Sequence, residues 1–192
     1  MPSLLLASQS PRRKELLEQS GFSFQIQPSS VSEEIDQDLA PFEAVEELAW
    51  RKAEHVFAEN KDKTVLGADT IVASGPTILG KPSDKSEARS MLRNLSGQSH
   101  YVYSGTAIIS RVVTKVFHVK TEVVFYPLED KWIEPYIATD EPYDKAGGYG
   151  IQGKGRLFVK EVHGDYFNVV GLPIARVARE LEKCHVLPSF RQ

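Results

Sequence analysis

The period of the hydrophobic positions changes several times along the chain. Leu4 to Ala7 is a short unbroken apolar run that reads as a buried strand. Ser10-Pro11 then supplies an N-cap and a first helical position, which predicts a helix ending near Ser20-Gly21. From Pro41, the residues Phe42, Val45, Ala49, Ala53, Val56 and Phe57 recur at helical spacing to about Ala58, and Lys52 falls on the same stripe. Val65 to Val72 is β-branched and nearly continuously apolar, hence a central strand, yet it carries Asp69. Asp84 and Glu87 have capping-box spacing, and Ala88, Met91, Leu92 and Leu95 complete a helix that stops at Ser96-Gly97.

The second half has more strand character. Tyr101 to Ile109 and Val116 to Phe125 are long β-prone stretches that suggest paired antiparallel strands, the latter alternating through Phe117, Val119, Thr121, Val123 and Phe125. Leu128 to Thr139 reads as a helix with Pro135 at a break or kink, and Asp140-Glu141-Pro142 as a turn. Leu157 to Val162 and Tyr166 to Val170 flank His163-Gly164-Asp165 as a hairpin, and a last helix has Ile174, Val177, Ala178 and Leu181 in phase. No repeat or linker interrupts the pattern, so residues 1–192 are expected to form one mixed α/β domain.

Composition narrows the classes. Among 192 residues, 23 Lys and Arg against 26 Asp and Glu give a net charge of −3, which argues against a partner such as a nucleic-acid polymer or an anionic membrane surface. No segment approaches the ~18 uninterrupted apolar residues of a membrane span. The basic cluster Arg12, Arg13 and Lys14 follows the first apolar run, the reverse of secretory-signal order, so a cytoplasmic location is expected. Cys184 is the lone cysteine and the five histidines are scattered, so a metal, if used, must be held by oxygen ligands.

Several positions carry candidate chemistry. Ser8-Gln9-Ser10-Pro11-Arg12-Arg13 sets hydroxyls, free N–H groups and guanidiniums at a helix N-terminus, where cations oppose the dipole unless an anion binds. Asp69 needs a partner for its desolvation: a metal, a water, or a structural Arg or Lys. Gly67 and Ala68 leave room beside it for a ligand or another backbone. Lys52 and Lys81 are further cations, although a lysine stem on an apolar stripe commonly snorkels. Glu33 can add a carboxylate, or belong to a merely solvated acidic loop. Gly147 to Gly155 holds five glycines in nine residues and fits neither the Walker nor the Rossmann spacing. Tyr149, Ile151 and Gln152 between those glycines suit a shaped pocket, with the Gln152 amide able to read a base edge.

These motifs resemble the Maf family of nucleoside triphosphate pyrophosphatases. The resemblance rests on Leu4-Leu5-Leu6-Ala7-Ser8-Gln9-Ser10-Pro11-Arg12-Arg13, Gly67-Ala68-Asp69-Thr70, Leu79-Gly80-Lys81-Pro82, Leu95-Ser96-Gly97, the glycine loop, and Val170-Gly171-Leu172-Pro173, in that order. It implies an α/β fold with an elongated mixed sheet flanked by helices, and two lobes around a central nucleotide-binding cleft. It implies hydrolysis of a nucleoside triphosphate to monophosphate and pyrophosphate, with Asp69 matching the family's proton acceptor and a divalent metal, Mg²⁺ or Mn²⁺, as cofactor. Arg12, Thr70 and Gln152 match positions linked to specificity in the branch acting on dTTP and UTP. A branch acting on 7-methyl-GTP lacks the Gly-Ile-Gln-Gly arrangement. Thr77 stands where relatives often have Glu, and Ser104 where Thr is usual.

On this reading Glu33 and Asp69 are catalytic and hold the metal. Ser8, Arg12, Arg13, Lys52, Thr70, Lys81 and Gln152 bind the substrate. The nucleoside triphosphate is the expected partner, and a homodimer is compatible with the reading. The competing hypothesis is a nucleotide-responsive regulator of cell division with negligible turnover, against which the retention of every candidate carboxylate and cation argues.

Overall fold

The structure, a computed structural model, describes residues 4–36 and 38–191. It is an α/β protein built on a seven-stranded mixed sheet, with strands β1 (Leu4–Leu6), β2 (Phe24–Ile26), β3 (Thr64–Ser74), β4 (Thr77–Leu79), β5 (Ser99–Ile109), β6 (Thr114–Phe125) and β7 (Val159–His163). The order is β2-β1-β3-β5-β6-β7, with β4 paired to β3. The helices are α1 (Pro11–Gln19), α2 (Pro41–Glu59), α3 (Lys85–Leu95), α4 (Asp130–Ile137), α5 (Tyr166–Val170) and α6 (Ile174–Glu182). No described helix is long and apolar enough to cross a membrane. The chain divides into two compact units, and the long strands β3, β5 and β6 contribute residues to both.

The first unit contains the chain up to Asp69, Ser104–Val119 and the segment from Gly171 onward. Here β1 lies between β2 and β3, parallel to each, and all three of its leucines are buried, as a strand covered on both faces requires. Helix α2 buries Ala44, Val45, Leu48, Ala49, Lys52, Ala53 and Val56. Its seat on the sheet is backbone against backbone. A Cβ added to Gly67 would stand 2.4 Å from the Ala49 carbonyl oxygen, and one added to Gly105 would stand 2.1 Å from that of Val45. The space left by Gly67 therefore receives another backbone, the second of the two alternatives open from sequence.

The second unit contains Thr70–Tyr103 and Lys120–Val170. Its core joins Ala88, Leu92 and Leu95 of α3 to Ile133 and Ile137 of α4 and to the rings of Phe125, Tyr136, Tyr149 and Phe158. Edge-to-face contacts order that group, with centroids 4.7 Å apart for Phe125 and Tyr149 and 4.8 Å for Tyr136 and Phe158.

Four local expectations are corrected. Ser10 precedes α1 but its side chain does not cap it; instead the Ser10 N–H donates to Ser8 Oγ at 3.2 Å. Asp84 accepts from the Glu87 N–H as an N-cap, but the Glu87 carboxylate turns to the N–H and hydroxyl of Ser83, so the box closes on the preceding residue. Helix α4 runs through Pro135 and ends two residues later at Ile137, which limits the forgone hydrogen bonding to its last turn. Tyr166–Val170 is helix α5 and not the second arm of a hairpin; β7 pairs with β6 instead. Asp165 Oδ1 accepts from the N–H groups of Phe167 and Asn168, starting a helical turn. The buried Asn168 amide then donates to the Val102 carbonyl and to Thr121 Oγ1, both at 3.0 Å.

Candidate active site

In the first unit, the seating of α2 against Gly67 brings Lys52 to the end of the buried stretch of β3. Lys52 Nζ donates to Asp69 Oδ1 at 2.7 Å and to Glu33 Oε1 at 2.6 Å. The Lys52 and Asp69 side chains are only 11% and 15% exposed, whereas Glu33 reaches in from the surface at 63%. Two carboxylates thus converge on one cation. Lys52 is an ion-pair partner and not a snorkelling side chain, and the desolvation of Asp69 is met by its ammonium.

Arg13, on the first turn of α1, is also buried. Its Nε donates to the Gly171 carbonyl at 2.9 Å and its Nη1 to Ser8 Oγ at 3.1 Å. Burial lowers the Arg13 pKa from its ordinary value, while Asp69 and Glu33 act in the opposite direction through their negative charge. The first turn of α1 holds no acidic residue, so its N-terminal dipole is not neutralised within the helix, and Arg12 beside it is half-buried.

In the second unit, Thr70 follows Asp69 along β3 and is half-buried, and Lys81 is exposed after β4. The Gly147 N–H donates to the Gly80 carbonyl at 3.0 Å, tying the glycine loop to the stretch that carries Lys81. Gly147 and Gly148 adopt φ of +74° and +71°, a left-handed backbone that favours glycine. Tyr149 and Ile151 are buried, Tyr149 within the aromatic core of this unit, while Gln152 stays half-buried. Beneath the loop, His100 Nε2 and the Tyr149 hydroxyl share a hydrogen bond of 2.7 Å. Burial lowers the His100 pKa to about 4 and raises that of Tyr149, so the pair is neutral at pH 7.

A family model described as Maf-like protein matches residues 3–184. This chain belongs to the Maf-like family. Its Maf-like relatives include a Bacillus anthracis protein, 52% identical over 97% of each chain, and a Bacillus pumilus protein, 52% identical over 98% of this chain and 100% of that one. Both bear the name dTTP/UTP pyrophosphatase. Among solved structures, the Staphylococcus aureus Ham1 protein overlaps 64% of this chain and 71% of its own at 14% identity and a TM-score of 0.38, too loosely to bear on the fold or the site.

Of the Maf-like site residues expected from sequence, Glu33, Lys52 and Asp69 meet directly, and Ser8 meets Arg13. One contributor escaped the sequence pattern. Arg51 donates to the carbonyls of Ser32 at 3.2 Å and Glu34 at 2.8 Å, gripping the backbone on either side of Glu33. Adjacent to Lys52 on a helix, it carries no sequence signal of its own beyond a solvated face.

The donor set suits a hard divalent cation. Among the described residues no group of three or more His, Cys, Asp or Glu side chains could hold a metal ion. Two carboxylates converging on one positive charge match the way Mg²⁺ is held by one or two protein carboxylates, with water and substrate phosphates completing the shell.

Proposed function

We propose that this protein hydrolyses nucleoside triphosphates, dTTP and UTP foremost, to the nucleoside monophosphate and pyrophosphate. The observation that carries the reading is the convergence of Glu33 and Asp69 on Lys52, within electrostatic reach of buried Arg13. The names of relatives that share half of its residues over nearly the whole length support it.

Water attacks the α-phosphorus. The new bond joins the water oxygen to that phosphorus, and the bond to the bridging oxygen breaks, releasing pyrophosphate. Asp69 accepts the proton lost by water, a task that suits a carboxylate sheltered from bulk solvent. Lys52 holds Asp69 and Glu33 together against their mutual repulsion and adds positive charge for the developing charge on the phosphates. Arg12 and the positive N-terminal end of the α1 dipole attract the polyphosphate, Arg13 stiffens that turn through Ser8 and Gly171, and Lys81 adds a further cation. Asp69 and Glu33 would hold a divalent cation, which when bound would supply charge neutralisation and make a neighbouring water more acidic. Thr70 and Gln152 are assigned to the nucleoside, the Gln152 amide pairing with the donor and acceptor edge shared by uracil and thymine.

Product analysis tests the reaction class. UTP or dTTP should give monophosphate and pyrophosphate in equal amounts over many turnovers. Release of orthophosphate with the diphosphate would overturn the assignment of the bond.

A further inference from the structure

Glu141 is the residue around which the glycine loop folds. Its Oε2 accepts from the Lys154 N–H at 2.8 Å, and its Oε1 from the Gly155 N–H at 3.0 Å and the Tyr136 hydroxyl at 3.2 Å. The glycines of the motif are spaced to admit this carboxylate. A Cβ on Gly153 would stand 2.2 Å from Glu141 Oε1, and a Cβ on Gly150 would meet Lys145 Cε at 2.7 Å and Glu141 Oε1 at 3.3 Å. Lys145 Nζ in turn donates to the Glu141 carbonyl at 2.8 Å, holding that pair together. Gln152 lies between these two glycines in a turn closed by the Gly153 N–H donating to the Gly150 carbonyl at 3.2 Å. Arg156 grips the opposite polarity, donating to the carbonyls of Gln152 and Gly153.

The backbone on the C-terminal side of Gln152 is therefore fixed through its N–H groups by one carboxylate and through its carbonyls by one guanidinium. We propose that Glu141 is a positioning residue for nucleobase selection, setting the turn that presents the Gln152 amide. This rests on the reading that Gln152 addresses the base. A carboxylate is required because the acceptors must face three donors at once. The amide of glutamine would keep the shape but turn an N–H₂ group toward one of the donors.

The test is a double-mutant cycle on the ratio of kcat/KM for UTP to that for GTP, using Glu141→Gln, Gln152→Ala and the double variant. Gln152→Ala should lower the ratio on the order of tenfold. Glu141→Gln should lower it in the same direction while kcat for GTP stays within a few fold. The double variant should discriminate no worse than Gln152→Ala alone, because a residue acting through Gln152 has nothing left to position. A ratio untouched by Glu141→Gln, or losses that multiply in the double variant, would overturn the role of Glu141 and leave Gln152 as a base reader. An unchanged ratio in Gln152→Ala would overturn the base-reading assignment and the proposal with it. Should Glu141→Gln not fold, Tyr136→Phe removes one of the three donors. Its ratio should fall in the parent protein but not in the Gln152→Ala background, and an unchanged ratio in the parent would count against the proposal.

Discussion

Replacing Gly67 by Ala should both destabilise the protein and disable it, for one geometric reason. The new methyl would lie 2.4 Å from the Ala49 carbonyl oxygen and 2.8 Å from both the nitrogen and Cβ of Ala53, all on α2. Carbon atoms need about 3.5 Å, so strand and helix must part by about 1 Å. The atoms in the way are mostly backbone, which cannot rotate aside as a long side chain can. Overpacking of this kind costs about 1–3 kcal/mol, and the upper half of that range corresponds to a fall in Tm of roughly 4–12 °C for a chain of this size. Lys52 rides on the displaced turn, between Ala49 and Ala53, so its contacts with Asp69 and Glu33 lengthen together. A misplacement of about 1 Å in a catalytic constellation costs on the order of 10²-fold. Thermal unfolding and steady-state release of pyrophosphate measure the two effects, with Gly80→Ala as the stability control because nothing lies within 4 Å of its added methyl. An unchanged Tm would refute the close seating. A destabilised variant with wild-type kcat/KM would refute the claim that the seat sets Lys52.

Asp69→Asn should keep the fold and lose on the order of 10²-fold or more in kcat, since it removes a proton acceptor at nearly constant volume; near wild-type turnover would make Asp69 structural. Chelation with EDTA should abolish turnover and Mg²⁺ or Mn²⁺ should restore it, whereas activity that survives EDTA would remove the metal from the scheme. Stability should fall on acidification because His100 is lowered from 6.5 to about 4 in the folded state. Between those values the unfolded chain binds the extra proton, so the contribution is complete above pH 6.5 and is lost as the pH falls toward 4. The loss amounts to roughly 2 kcal/mol between pH 7 and pH 5. Urea unfolding at the two pH values should show it in the wild type but not in His100→Gln, and equal acid sensitivity would exonerate His100.

What the sequence disclosed and what it hid follow from the range of the interactions involved. The stripe of α2 was legible because its burial repeats every turn, and Lys52 was conspicuous as the one charge in phase with it. Asp69 stood out inside an apolar strand for the same reason. The partner of each was not legible, since 17 residues separate them and it is the seating of α2 against Gly67 and Gly105 that brings them together. Local alternation also misled. Tyr166 to Val170 has strand composition, but Asp165 captures its first N–H groups and the buried Asn168 amide binds strands β5 and β6, interactions that periodicity does not encode. Glu141 read as a turn residue because two of the groups it serves lie 13 and 14 positions away.

Among its described residues the segment between β2 and α2 contains no strand or helix, yet it delivers Glu33. It is held near Glu33 by consecutive residues of one helix, Arg51 at the backbone and Lys52 at the carboxylate. The residues on either side of Glu33, and Glu33 itself, are thereby tied to α2 by the protein's own contacts. On the proposed function, a stretch of chain that would otherwise have to order around its ligand would instead meet it preorganised, and binding energy that would have gone into immobilising Glu33 would remain for lowering the barrier to reaction.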